Sequence, residues 1–394
     1  MTILDAVLIA LLIGAAWSGY RQGLLTAVLA LAGALGGALA GLRLAPLLMG
    51  NVDDNGAKVA LGIVCVILGV GVGEYAGATL GRLASARITW RPVRAVDRGL
   101  GLVGQALAVA VIAWMIALPL AKTPYPWLSS AVRSSSVLTT VDEAMPSGLR
   151  TVSGKLGDLF DESGFPQILD PLATTPVTDV DQPDSSLASS AAVVQARGSI
   201  LKVRSMAPSC GKQLEGTGFV IAPDRVLTNA HVVAGAERVT VEVGGGSMVA
   251  EVVLYDPEVD VAVLAVDGLE REPLEFAADP AETGDDAIVA GYPLDGPFTV
   301  RPARIRNSFD LRGPDIYGNT GMVREVYTVR GLVQSGNSGG PLLAPDGTVL
   351  GVVFGAAPDV EDVGFVLTAD EVGELVAAGS TDDTPAATGA CTAA

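Results

Sequence analysis

The sequence predicts a multidomain protein, with an amino-terminal all-α transmembrane domain of four helices followed by an all-β domain. Three observations carry this. Four apolar stretches each approach the ~20 residues needed to cross a bilayer as helix. From Gly198 onward the pattern changes to short β-type runs separated by turn residues. Between the two lies a stretch rich in Pro and Ser, the composition of a linker. A chain of 394 residues has room for two or three domains. The composition shifts divide it into a membrane domain over 1–121, a linker over 122–194 and an outer domain over 195–394.

The apolar stretches cover about 3–20, 24–42, 59–81 and 99–121, and they concentrate much of a mean hydropathy of +0.46. The first lacks the basic residues that open a signal peptide, and three more spans follow it, so it is expected to be retained. Arg21 lies in the first loop, and Arg82, Arg87, Arg91, Arg94 and Arg98 follow the third span. By the positive-inside rule both loops are cytoplasmic, which places both chain ends and the outer domain outside. Glycine recurs every fourth residue at Gly33, Gly37 and Gly41, and again at Gly69, Gly73, Gly77 and Gly81. That spacing falls on one helix face and lets helix backbones approach closely. Glu74 is the one acid well inside a span, where a carboxylate is costly and often functional.

The first 121 residues hold eight of the 25 Lys and Arg and five of the 43 Asp and Glu. The remainder is therefore strongly acidic. Nucleic-acid binding wants basic patches and is not expected, nor is docking of the outer domain on anionic lipid. The charge keeps that domain soluble. Within the linker, Leu149, Val152, Leu156, Leu159 and Phe160 fall at helical spacing and predict an amphipathic segment. The Ser/Pro-rich part at 174–192 is the expected place for self-cleavage.

The expected strands are Ile200–Val203, Gly218–Ile221, Val239–Val243, Val249–Leu254, Val261–Val266, Ala287–Ala290, Val326–Val329 and Val349–Phe354. Their spacing suits an antiparallel sandwich or a pair of barrels. Thr368-Ala369-Asp370-Glu371 reads as a capping box opening a helix over 369–378.

The chain has one histidine, His231, in Leu227-Thr228-Asn229-Ala230-His231-Val232-Val233. Only histidine has an unperturbed pKa suited to general base work near neutral pH. Downstream come Asp260, opening an apolar run, and Ser338 within Gly336-Asn337-Ser338-Gly339-Gly340-Pro341-Leu342. A serine hydroxyl needs a base, a group to hold that base in the right tautomer, and donors for the oxyanion. The expected roles are base for His231, orienting carboxylate for Asp260 and nucleophile for Ser338. Asp256 is the rival carboxylate, in a turn-like Asp256-Pro257 context. The oxyanion hole is expected from Gly336, Asn337 and Ser338, with the amides of Gly336 and Ser338 as donors. One histidine and scattered cysteines leave zinc-ligand spacing unmet, and no phosphate-cradling loop with a lysine is present, so neither a metal nor a cofactor is expected.

The order His, Asp, Ser and the Gly-Asn-Ser-Gly-Gly-Pro block resemble the chymotrypsin-like serine proteases over about residues 195–378. The resemblance implies a double β-barrel of two six-stranded barrels with the site in the cleft between them. His231 and Asp260 would then come from the first barrel and Ser338 from the second. Leu332 stands six residues before Ser338, where trypsin-type members carry a pocket aspartate, so a basic-residue preference is not expected. Val353-Phe354-Gly355 resembles the strand that pairs with substrate backbone, with Phe354 beside the pocket and Arg330 near the same wall. In the first domain, Asp5, the run Gly19-Tyr20-Arg21-Gln22-Gly23 and the glycine-rich second span resemble the colicin V production protein family. The combination resembles the membrane-anchored serine proteases of actinobacteria, which implies proteolysis of envelope proteins under acid and oxidative stress.

Of three cysteines, Cys65 sits in an apolar span. Cys210 and Cys391 fall in the outer domain, where oxidation is plausible, and are expected to pair, stapling a Thr/Ala-rich tail to the first barrel. The position of Cys391 also raises a redox switch on activity. Two other functional readings stand beside the endopeptidase: a non-catalytic binding module on a protease scaffold, and a pore or transport role for the membrane domain regulated by the protease.

Overall fold

The computed structural model describes residues 2–49, 55–85, 91–121, 126–145, 165–169, 172–360 and 362–392. The amphipathic segment expected over 149–160 lies outside them, as does Arg87. The chain forms two compact units with a break after Phe160.

The first unit is helical. Helices α1 (Ile3–Gln22), α2 (Leu24–Met49), α3 (Asn55–Ser85) and α4 (Arg91–Ala121) are each long and apolar enough to cross a membrane. The glycine stripes do what their spacing predicts. A Cβ on Gly37 would lie 1.9 Å from the Gly69 carbonyl oxygen, and one on Gly33 would lie 2.1 Å from that of Gly73. Backbone therefore packs on backbone along α2 and α3, which only glycine permits. Glu74 is half-buried on α3.

The helices α5 (Pro126–Arg133) and α6 (Ser136–Ala144) occupy sequence expected to be linker. Ser135 is not a spacer residue but the N-cap of α6, accepting from Leu138 N at 3.3 Å. Its hydroxyl donates to Asp5 Oδ1 at 2.7 Å, and Val137 N donates to the same oxygen at 3.2 Å. The other carboxylate oxygen of Asp5 accepts from Thr2 N, closing a capping box at the start of α1. Trp114 Nε1 donates to Asp142 Oδ1 at 2.7 Å. These bonds tie α6 to α1 and α4, so the helical unit extends past residue 121.

The second unit contains two closed six-stranded antiparallel barrels. The first takes β1 (Ile200–Ala207), β2 (Lys212–Ala222), β3 (Arg225–Thr228), β4 (Arg238–Val243), β5 (Gly246–Asp256) and β6 (Val261–Ala265) in the order 1-2-3-6-5-4. The second takes β7 (Asp286–Gly291), β8 (Thr299–Pro314), β9 (Thr320–Arg330), β10 (Pro341–Leu343), β11 (Val349–Ala356) and β12 (Val363–Thr368) in the order 10-11-12-9-8-7. All eight expected strands are present. The additional strands β3, β8, β10 and β12 carry little alternation. β3 and β12 are buried along their whole length, and β8 is largely polar.

Side-chain alternation divides the core into three layers. Val203, Val220, Val226, Val241 and Leu264 fill the first barrel. Val289, Ile305, Val329, Val353 and Val366 fill the second. Their neighbours along the strands, including Phe219, Leu227, Ile288, Val352, Phe354 and Phe365, pack together between the barrels. Three short helical elements flank the barrels: α7 (Ala191–Ala196), the single turn α8 (Ala230–Val233) and α9 (Ala369–Gly379). Thr368 caps α9 through Glu371 N at 3.1 Å, but the Glu371 carboxylate turns away to accept from Glu325 N, so only half of the expected capping box forms.

The stretch expected as a loose tether also differs. Phe165, Ile168, Leu169 and Leu172 are buried against the barrels. Beyond them the Thr175 hydroxyl donates to Asp359, Arg306 Nη1 donates to Thr178 O, and Arg330 Nη1 donates to Val180 O. Residues 165–169 and 172–180 form a strap on the second barrel because their apolar side chains and carbonyls find partners there. The tail is tied down too. Cys210 and Cys391 form a disulfide with Cα atoms 5.7 Å apart, Gly235 N donates to Thr388 O at 2.9 Å, and Ala386 N donates to Val252 O at 2.7 Å.

Candidate active site

Each candidate residue is placed by the element before it. β3 ends at Thr228, Asn229 breaks the strand, and the single turn α8 presents His231. Asp260 stands immediately before β6 with φ at +71°, a left-handed conformation that costs a non-glycine residue energy and concentrates at functional sites. Asn229 Nδ2 donates to the Asp260 carbonyl at 2.7 Å and holds that conformation. Ser338 lies in the loop joining β9 to β10.

The Asp260 carboxylate is fully buried and reaches His231 twice. Oδ2 is 2.7 Å from ring Nδ1, and Oδ1 accepts from the His231 backbone N–H at 2.9 Å. The second bond fixes the carboxylate, and the first fixes the ring. With a proton on Nδ1, Nε2 is left as an acceptor. The rival Asp256 is occupied otherwise: its Oδ1 accepts from the amides of Glu258 and Val259, both at 2.9 Å, and so closes its own turn. Among the described residues, neither His231 Nε2 nor Ser338 Oγ has a hydrogen-bond partner, although both are buried. The two elements abut. A Cβ on Gly216 would touch both Val232 Cγ2, at 2.7 Å, and Ser338 O, at 3.0 Å.

The loop before Ser338 needs its glycines. Gly336 has φ at +89° and Gly339 at +79°. A Cβ on Gly339 would stand 2.2 Å from Thr217 O. Among the described residues, no acceptor takes the amides of Gly336 or Ser338. Asn337, expected in the same hole, differs. Its amide donates to Gln334 O at 2.9 Å and its Oδ1 accepts from Gln334 N at 2.9 Å, so it braces the turn and its backbone amide is already taken.

Two supporting residues escaped sequence reasoning. Thr217 is fully buried; its hydroxyl donates to Gly336 O at 2.6 Å and accepts from Tyr292 N at 3.0 Å, while its amide donates to Ser338 O at 2.8 Å. It thus joins the first barrel to the loop that carries Ser338. Asn229 supports Asp260 as described. The signal available in sequence was a hydroxyl between two glycines, Gly216-Thr217-Gly218, directly before the apolar run Phe219-Val220-Ile221.

On the other side of this loop, Leu294 N donates to Ser335 O at 2.7 Å. Leu294 and Asp295 both have φ at +55°. They are held by Lys202 Nζ, which donates to Asp295 O at 2.8 Å and Oδ1 at 2.9 Å, and by Arg204 Nη2 at 2.6 Å from Oδ1. The hydrogen bond from Lys202 holds the Asp295 carboxyl below the usual range. Burial, then the Asp295 charge, pushes nearby Glu215 up.

The residues expected around a substrate pocket separate. Leu332 is exposed. Val353 lies inside the second barrel and bonds the loop that carries Ser338: its carbonyl accepts from Gly339 N at 2.8 Å and its amide donates to Gly340 O at 2.9 Å. The Phe354 ring, expected beside the pocket, is fully buried between the barrels, 6.3 Å from the Phe365 ring and with the Arg324 guanidinium 5.3 Å from its centroid. The strand alternation sends it there. Gly355 faces the strap, where a Cβ would fall 1.9 Å from Ile168 Cδ1. Arg330 is taken up by Asp362, at 3.2 Å from Nε, and by Val180 O.

A histidine held by a buried carboxylate, beside a serine in a glycine turn with free amides, is the arrangement of hydroxyl-nucleophile hydrolases. Comparison with known proteins agrees. Residues 216–352 match the trypsin-like peptidase domain, and residues 4–146 match colicin V production protein. The chain is 48% identical over 391 residues to serine protease Rv3671c of Mycobacterium tuberculosis, covering 98% of each. The chain belongs to this family of serine proteases. Its barrels superpose on the crystal structure of the Rv3671c protease in its active form with a TM-score of 0.54, at 54% identity, covering 57% of this chain and 99% of that one. The putative serine protease HhoB of Synechocystis is 36% identical over 177 residues, 42% of this protease and 41% of HhoB.

Proposed function

We propose that the protease is a membrane-tethered extracytoplasmic endopeptidase that cleaves envelope proteins through an acyl-enzyme. Ser338 Oγ attacks the scissile carbonyl carbon as His231 Nε2 takes its proton. Asp260 stabilises the imidazolium, and the amides of Gly336 and Ser338 receive the oxyanion. Collapse breaks the C–N bond while Nε2 returns the proton to the leaving amine, and water releases the acyl group by the same steps. The observation that carries this reading is the doubly bonded Asp260 behind His231, with Nε2 and Ser338 Oγ both uncommitted.

The four apolar helices support tethering, and the arginines in the last turn of α1 and at the facing ends of α3 and α4 support an extracytoplasmic protease unit. The family likeness supports a role in acid and oxidative stress. Self-cleavage is proposed within the largely exposed 181–190, since Thr175, Thr178 and Val180 are held by side chains of the second barrel.

A serine-reactive fluorophosphonate probe tests the chemistry. It should label the wild-type protein in membranes and fail on Ser338→Ala and His231→Ala; equal labelling of all three would sink the assignment. Added protease should digest the barrels in intact spheroplasts, and protection until lysis would place them inside the cell.

A further inference from the structure

We propose that the strap at residues 165–169 is a resident occupant of the substrate pocket, with the Phe165 side chain filling the space that receives a bulky apolar residue of the substrate. This inference rests on the endopeptidase reading and names its substrate class.

The pocket is defined by its walls. Val333 belongs to the loop that leads to Ser338, and Val353 exchanges backbone hydrogen bonds with Gly339 and Gly340, directly after the nucleophile. β12 closes the third side at Gly364, where a Cβ would fall 2.4 Å from Val333 Cγ2. On the endopeptidase reading, a substrate side chain on the acyl side of the attacked bond enters between these walls. They are apolar, and no charged residue stands among them. Phe165 is buried in the same apolar cluster as Val333, Val353 and Val366, with Ala356 packed against it. Ile168 lies over Gly355, and Phe165 Cδ1 is 3.8 Å from where a Gly355 Cβ would stand.

The strap contributes no strand to a barrel that is already closed, so its burial is not required to complete the sheet. It is held downstream by Asp359, Arg306 and Arg330, which keep it at high local concentration over the site. Its sequence also explains why it persists beside a nucleophile. The residue after Phe165 is Pro166, so the bond that would be cut is a tertiary amide whose rigid ring is a poor fit as leaving group.

Burying one phenylalanine shifts a local equilibrium by on the order of 10- to 100-fold. An intramolecular occupant of that strength raises the apparent KM by the same factor and leaves kcat alone, since it competes for binding and not for chemistry. The test uses the full-length protein in detergent with peptides carrying Phe, Ala or Arg before the scissile bond. Phe165→Ala should lower KM for the Phe peptide about tenfold with kcat nearly unchanged. Phe165→Leu, which refills the pocket, should stay near wild type, and the Phe peptide should be the preferred substrate throughout. If Phe165→Ala no longer reacts with fluorophosphonate, its fold is lost and Ile168→Ala is read by the same KM criterion. A KM within about twofold of wild type in the folded variant overturns the inference while leaving the protease reading intact. Absence of probe labelling on the wild-type protein overturns both.

Discussion

Asp260→Asn separates the orienting role of this carboxylate from its packing. Asparagine has the same shape, so its Oδ1 can still accept from the His231 amide, now at 2.9 Å from Asp260 Oδ1. The remaining group facing ring Nδ1 becomes an NH2, where an oxygen now stands at 2.7 Å. Two donors cannot share a hydrogen bond, so Nδ1 must give up its proton and become the acceptor. The ring proton then moves to Nε2, which faces the serine as a donor and cannot act as base. In a Ser-His-Asp site this exchange lowers kcat by roughly 10⁴, or about 5 kcal/mol of transition-state stabilisation. Stability should fall far less, by about 1 kcal/mol, because a charge-assisted bond is replaced by a neutral one without vacating space. The assay is peptide hydrolysis beside thermal unfolding of the same preparation. Retention of more than about a tenth of wild-type kcat would refute the reasoning, because no ring tautomer then matters.

Further outcomes follow from the supporting structure. Thr217→Val keeps the volume but strands the Gly336 carbonyl and the Tyr292 amide; kcat should drop about tenfold or more with KM little changed, as measured by steady-state kinetics. Gly37→Leu forces a side chain into the Gly69 backbone and should destabilise the helical unit by about 1–3 kcal/mol or more, read as a lower unfolding temperature in detergent. The Cys210–Cys391 bond closes a separation of 181 residues. Loss of it in Cys391→Ser should cost up to about 5 kcal/mol in the chain-entropy model, and reductant should bring the wild type to the same unfolding temperature. The depressed Asp295 carboxyl stabilises the fold above its unfolded pKa near about 4 and loses that contribution as pH falls through its lower folded value. Glu215, being raised, acts with the opposite sign: its contribution is present at low pH and fades as pH rises through its folded value. Asp295→Asn should therefore lose less stability than wild type as pH falls below the unfolded carboxyl value of about 4 in denaturation curves.

Much of the site was legible because its chemistry is local in sequence. One histidine, a glycine-flanked serine and an aspartate opening an apolar run identify themselves by residue type, and the structure holds Asp260 against His231 as expected. The choice of Asp260 over Asp256 was legible as well, because Asp256-Pro257 reads as a turn, and Asp256 Oδ1 closes that turn by accepting from the amides of Glu258 and Val259. Thr217 and Asn229 were missed because their partners lie 119 and 31 residues away along the chain. Asn337 and Phe354 were misplaced because one turn hydrogen bond and one step of strand alternation decide where an amide or a ring points.

By itself the sequence determined the features that follow from short-range pattern. These are four helices long and apolar enough to cross a membrane, close helix packing from glycine every fourth residue, a β domain from period-two runs, and a single candidate base from a single imidazole. Tertiary structure alone decided where the polar-looking connector goes. Residues 126–144, 165–169 and 172–180 have the composition of a tether, yet each folds onto its neighbouring unit, because a few buried contacts such as Ser135 with Asp5 and Phe165 with the second barrel outweigh local propensity. Such contacts join residues far apart in the chain, and no window of sequence contains both partners.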